Sequence, residues 1–545
     1  MATNNKYDRQ LRLWGANGQK ALGETTVVLI RATAAGTETL KNLVLPGVGK
    51  IAVVDDAAVG DGYASNFFLA QTKSGTGESR AQQATELLQE LNPDVQGKWK
   101  NVSSLDDCDL AALFVELVGA SGSSNDNKVL VVGADLEPPL LQKVSVLCKT
   151  NAYPLVVVQS YGLIGVVRLQ TPPLPLMETK PTSEPPDLRL VTPFAEFREF
   201  AESIAMDQLD DARHGHVPYP VLLFQAAEAW KTAHNGSLPS TPTDKQAFRD
   251  SIKAASRNWD MEMNFQEAQQ NAYLGFTERT VDVEEMKQLV QDAKDGKLPK
   301  LHAMVSALLT FLERHNGQAP LQGTIPDMTA STDTYVRLQQ LYHDKAQADL
   351  KEIRSLVPTT IVPDDADLET FCKNVFNLGL VMTGSIVDEL DPSIEPDEEL
   401  VDDWGMATFD PYEVPEHTPL LWYMAFRACQ EFYTEYGRYP GMVIDGADDS
   451  FQQDVDPLHQ CLHKVAAAMK LQENDLVKQT LLDDPEKKYA KEMARYANAE
   501  IHNVASVLGG VGSQEAVKII TGQYVPLNNT YIYNGIVSTG GVYKF

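Results

Sequence analysis

The stretch from Val27 to Asp55, VVLIRATAAGTETLKNLVLPGVGKIAVVD, constrains the fold more than any other. Apolar runs at Val27–Ile30 and Ile51–Val54 bracket a segment whose Leu40, Leu43, Val44 and Leu45 recur at helical spacing. That is the pattern of a βαβ unit in a parallel, doubly wound sheet. In such units the first strand-to-helix turn seats phosphate on glycines, because bare backbone can approach an anion at a helix N-terminus. Here the turn reads Arg31-Ala32-Thr33-Ala34-Ala35-Gly36, so only Gly36 remains of a G-x-G-x-x-G spacing. Thr33 adds a Cβ, and Arg31 a long side chain, where backbone should meet the ligand. Two readings stay open on these residues: a nucleotide site without its working surface, or a βαβ unit that never bound a nucleotide.

The chain is 545 residues long, which at about 150 residues per domain implies roughly two to four domains. Lys plus Arg number 46 against 75 Asp plus Glu, a formal charge of -29. Such a field repels phosphate backbones, so no nucleic acid and no anionic membrane is expected as a partner. The five cysteines, Cys108, Cys148, Cys372, Cys429 and Cys461, form neither a CxxC pair nor a disulfide framework. A reducing compartment follows. No apolar leader or membrane-length apolar run is present, so the expectation is a soluble chain, cytoplasmic and possibly also nuclear.

Texture changes twice along the chain. Strand-like runs KVLVVG (Lys128–Gly133) and Tyr153–Val158 alternate with helical patterns up to Leu169, which predicts an α/β layer fold. Thr171–Pro186 then carries six prolines in sixteen residues and reads as a linker. From Asp187 to about Leu482 the periodicity is helical, with apolar spacing in Val221–Trp230, Met304–Leu312, Tyr335–Leu350 and Leu420–Tyr433. Nine carboxylates among the sixteen residues Asp388–Asp403, and five among the twelve Asp445–Asp456, lack calcium-loop spacing and read as solvated acidic loops. Ala505–Thr521 returns to a glycine-rich, amphipathic helix, followed by a strand in Pro526–Tyr533. The expected architecture is an α/β domain built from both chain ends, 1–170 and 487–545, with an α-helical domain inserted over 171–486. Near the N-terminus, Leu11 and Trp14 form a small apolar stripe flanked by Arg9 and Arg12. It docks either on another surface or on its own domain.

YDRQLRLWG at Tyr7, the βαβ unit ending in VVDD, SRAQQATELLQELNPDV at Ser79, SYGLIGVVRL at Ser160 and GGVGSQEAVKIITGQYVPLNNTYIY at Gly509 together resemble the ubiquitin-activating-enzyme superfamily of adenylating enzymes. LQGTIPDM at Leu321, EYGRYPG at Glu435 and LNNTYIYNG at Leu527 resemble one branch of it, the regulatory, non-catalytic subunits of the heterodimer that serves neddylation. The likeness runs over nearly the full length. It implies a Rossmann-like, ThiF/MoeB-like adenylation domain whose insert corresponds to a catalytic-cysteine domain without its cysteine. It also implies an obligate partnership with a homologous catalytic chain. That chain holds ATP and magnesium, adenylates a ubiquitin-like modifier and forms its thioester.

Against the superfamily's working pocket, this chain departs at several positions. Arg31, Thr33 and Ala34 stand in the glycine loop. Asp55 is kept, but Ala57 replaces the later aspartate of the D-x-D that holds ribose. Asn66 stands where the phosphate-facing N-x-x-R-Q-F motif has arginine, and Arg80 replaces the catalytic lysine. Asp135 falls near the position that holds magnesium in active members, and reads more readily as a helix N-cap, so no metal is expected here. No cysteine has the Cys-Thr context of the thioester residue. The resemblance implies no cofactor bound by this chain, and Arg9 reaching the partner's ATP in trans, with Arg12 as the alternative. Tyr7, Gln10 and Trp14 would lie at the partner interface. A self-sufficient adenylating enzyme and a non-catalytic binding scaffold are the alternatives.

Overall fold

The computed structural model describes residues 6–60, 65–69, 77–119, 128–177, 185–361, 363–391, 393–409, 414–443 and 450–545. The chain divides into two compact units, one made of Met1–Leu174 with Val381–Phe545 and the other of Pro175–Leu380. Residues 178–184 of the proline-rich crossover, Ala64, and the start of the second acidic segment lie outside the described residues.

The first unit is built on an eight-stranded sheet. Its strands are β1 (Thr25–Ile30), β2 (Lys50–Asp55), β3 (Gln96–Asn101), β4 (Lys128–Ala134), β5 (Leu155–Tyr161), β6 (Ile164–Gln170), β7 (Thr530–Asn534) and β8 (Thr539–Tyr543). Their spatial order is β8-β7-β6-β5-β4-β1-β2-β3. Strands β1 to β5 pair in parallel, with Val27 opposite Ile51 and Leu130. The order reverses beside β1, where ligands of open α/β sheets bind. Three helices matter to that edge: α1 (Asp8–Gly23), α2 (Ala34–Val44) and α3 (Arg80–Leu91). Strands β6 to β8 run antiparallel to their neighbours, so the expected parallel-rich sheet carries a mixed edge. The cause is the tight turn at Gly162 and Leu163. Gly162 takes φ +59° beneath the Tyr496 ring, where a Cβ would lie 2.1 Å from ring carbon.

The glycine-rich C-terminal helix, His502–Thr521, lies against α2. A Cβ on Gly509 would come within 2.5 Å of the Glu38 Cβ, so glycine is what lets the two helices approach.

The division differs from the expected insert of 171–486. Helices Pro419–Tyr436, Ser450–Ala468 and Lys488–Tyr496 share one apolar core with Tyr161, Ile164, Val166 and Ile532 of the sheet, and so belong to the first unit. Helical periodicity reports which side chains turn inward, not which surface they meet. The second unit is helical, with cores around Phe197, Phe224 and Tyr342 and around Met304, Phe311 and Phe371. The acidic stretch after Asp388 is also more than solvated loop. Glu389 is partly buried against Arg168 and Arg427, accepting from Arg427 Nη1 at 2.5 Å and the Tyr423 hydroxyl at 2.7 Å. Among the described residues no helix is long and apolar enough to cross a membrane.

Candidate functional site

At the carboxyl ends of β1 and β2 the expected nucleotide seat is present as backbone and filled by the chain's own side chains. Arg31 takes the left-handed conformation, φ +68°, that glycine usually supplies in such turns. Its N–H donates to Val54 O at 2.9 Å, and its guanidinium reaches back to Glu137 Oε1 at 2.5 Å. Thr33 caps α2, its hydroxyl accepting from the Gly36 N–H at 3.4 Å. Gly36 has no room for a Cβ, which would meet the Ala134 Cβ at 2.7 Å and Arg31 O at 2.9 Å.

Asp55 is wholly buried and its oxygens are spoken for. Arg80 donates Nε to Oδ2 at 2.6 Å and Nη2 to Oδ1 at 2.8 Å, the Ala32 N–H reaches Oδ2 at 2.7 Å, and the Ala57 N–H reaches Oδ1 at 2.9 Å. A carboxylate offers about four lone-pair sites, so none remains for a ligand hydroxyl. Arg80, itself 6% exposed, is held as a fork on that acid rather than facing an open pocket. Asn66 is likewise turned inward. It donates to Ala32 O and accepts from the Thr37 hydroxyl and the Phe68 N–H, each at 3.0 Å, which ties the 65–69 segment to α2.

A residue the sequence reading passed over completes the closure. The Glu500 carboxylate accepts from the Ala34 N–H at 3.0 Å, occupying the N-terminus of α2 where an anion would sit. Burial first, then the neighbouring Asp135, push its carboxyl up to about 7. Asp135 is raised as well, by burial. Instead of capping the helix that follows β4, its Oδ1 accepts from the Ser160 N–H at 2.5 Å and hydroxyl at 3.2 Å. Among the described residues no group of three or more His, Cys, Asp or Glu could hold a metal. Glu500 is 466 positions from Ala34, beyond any spacing rule. Its only signal is a carboxylate just ahead of the C-terminal helix.

Helix α1 shows the opposite character. Its outward face carries Arg9, Arg12 and Leu13, all exposed and spaced i, i+3, i+4. Arg12 pairs with Asp8 at 3.0 Å on the surface. Among the described residues Arg9 makes neither an ion pair nor a side-chain hydrogen bond, and Gln10 is half-buried. Tyr7 and Trp14, expected at a partner face, are engaged within their own unit. The Tyr7 hydroxyl accepts from Asn92 Nδ2 at 3.0 Å, and Lys6 pairs with Asp94 at 2.9 Å. Trp14 is 8% exposed in the apolar core beneath α1, its indole N–H donating to Gln19 Oε1 at 3.0 Å. An i, i+3 stripe reads alike on either side of a helix.

All five cysteines are free thiols, and only Cys108 is not fully buried. Burial alone pushes Cys148 up to about 12, and burial foremost does the same to Cys372 and Cys461. The thiolate is the nucleophilic form, so none of these three is poised to attack an adenylate.

An α/β sheet with a helix N-terminus at its switch point, built from both chain ends, is the scaffold of adenylating enzymes. Residues 7–542 match the model of the ThiF family, and the chain belongs to that family. Within it the chain is similar over almost its whole length to NEDD8-activating enzyme E1 regulatory subunits. It is 34% identical to the one named AXR1 from Arabidopsis thaliana, covering 97% of this chain and 94% of that relative. It is 32% identical to the one from Danio rerio and 34% identical to the one from Xenopus laevis, each time over 99% of this chain and 98% of the relative. Its place is therefore in the regulatory-subunit branch of the family.

Proposed function

We propose that this chain is the catalytically silent half of a heterodimeric activating enzyme, closed to nucleotide itself and acting on the active site of a homologous catalytic subunit. The observation that carries this reading is the seat at the carboxyl ends of β1 and β2. Arg80 and two backbone N–H groups saturate Asp55, while Glu500 covers the N-terminus of α2. ATP and magnesium then belong to the catalytic subunit, which adenylates the C-terminus of a ubiquitin-like modifier and carries the thioester cysteine.

The positive contribution comes from α1. Arg9 is a permanently charged, planar fork with no partner among the described residues, at the start of a helix anchored by Tyr7 and Trp14. Placed against the triphosphate of the partner, it neutralises phosphate oxygens as charge shifts toward the leaving pyrophosphate. Isothermal titration of the isolated chain with magnesium-ATP tests the closed seat. No saturable heat is expected below millimolar nucleotide, and micromolar binding overturns the reading in favour of a self-sufficient enzyme.

A further inference from the structure

Glu500 stands on a strained strap. Ala497 and Asn498 hold successive left-handed conformations, φ +47° and +60°, which side chains rarely adopt. The strap is pinned where the Gly162 N–H donates to Ala499 O at 2.8 Å and where His502 Nδ1 meets Ser65 O at 2.8 Å. Between these pins Glu500 reaches Ala34. Beside it, Asp135 spends Oδ1 on Ser160, while its Oδ2 is buried without a well-formed hydrogen bond among the described residues, the Thr33 hydroxyl lying close by. The Glu500 carboxyl lies within hydrogen-bonding reach of Asp135. Two ionised carboxylates do not share such a place, and a proton between them gives the buried Asp135 Oδ2 a well-aligned donor.

We propose that Glu500 and Asp135 share one proton, and that this O–H···O bond is the latch holding residues 497–502 over the N-terminus of α2, released when the proton passes to solvent. The inference goes beyond the functional reading, since a silent subunit needs a filled seat but not a titrating one. Of the groups facing the pair, Arg80 favours the ionised form of Glu500, and Arg31 that of Asp135. Those guanidiniums are themselves occupied by Asp55 and Glu137. Tyr439 faces Asp135 from the helical cover and is driven further toward its neutral form, chiefly by burial. His502, two residues along the strap, is spent on Ser65. Because the Glu500 carboxyl is raised from 4.5 to about 7 in the folded chain, the latch is complete below the lower value and is lost as pH rises through the upper one.

Amide hydrogen exchange of the full-length chain between pH 5 and 8.5, corrected for intrinsic rates, tests this. Protection of residues 497–502 and of the first turn of α2 is expected to fall by up to about tenfold per pH unit as pH rises to 7, then level off. Glu500→Gln keeps an acceptor for Ala34 and a donor for Asp135, and is expected to abolish the slope. Asp135→Asn is a second route to the same result should the first variant fold poorly. A wild-type strap whose protection is independent of pH, or a Glu500→Gln chain that keeps the wild-type slope, overturns the latch. Neither outcome bears on ATP titration of the isolated chain, which addresses the functional reading separately.

Discussion

The nucleotide-like seat and helix α1 lie in the same unit and treat charge in opposite ways. In the seat, the cations among the described residues are answered from within: Arg80 by Asp55 and Arg31 by Glu137, with Glu500 standing where a phosphate would. On α1 the backbone is tied down, through Tyr7 and through Trp14, while Arg9 is left to solvent. An active site needs its charges unsatisfied until the ligand arrives. By that measure the seat has become core, whereas α1 keeps a cation at the surface.

The contrast can be broken at graded cost. Arg80→Ala strands the fully buried Asp55 without its cation and is expected to destabilise the first unit by about 3–5 kcal/mol, read by denaturant unfolding. A near-neutral result would mean that the seat is not held by its ion pair. Gly36→Ala forces a Cβ against Ala134 and is expected to cost about 1–3 kcal/mol by the same measurement. Tyr7→Phe removes one hydroxyl from the anchor of α1, a loss of about 1 kcal/mol. The smallest effect is expected at the thiols. With Cys148, Cys372 and Cys461 raised to about 12, iodoacetamide at pH 7.5 should leave all three unmodified in the native chain and label them only after unfolding. Rapid native labelling of Cys372 would reopen the question of a nucleophile in this chain.

How much of this was legible beforehand depended on range. Strands β1, β2, β4 and β5 were visible because central parallel strands are buried on both faces and read as unbroken apolar runs. Edge strand β3, QGKWKN, was not, since it carries no apolar run and exposes Trp99. The replacements at Arg31 and Thr33 could be read as departures from a phosphate loop, and Arg80 as standing in place of the family's catalytic lysine. That Arg80 would close as a fork on Asp55 could not, because it depends on the approach of α3 to β2. The glycines of the C-terminal helix announced close packing, and Gly509 against Glu38 provides it. The division of the helical region stayed hidden for the same reason as Trp14: amphipathic spacing marks an inward face without naming its neighbour.

The most direct measurement of the central claim is ATP–pyrophosphate exchange by the reconstituted heterodimer, with the modifier present and this chain carrying Arg9→Ala or Arg12→Ala. Arg9 is exposed, so its removal leaves the fold intact. Loss of a charge aimed at the reacting phosphates is expected to slow exchange by at least about 100-fold, while Arg12→Ala stays within about twofold of wild type. Full exchange with the Arg9→Ala chain would contradict catalysis in trans.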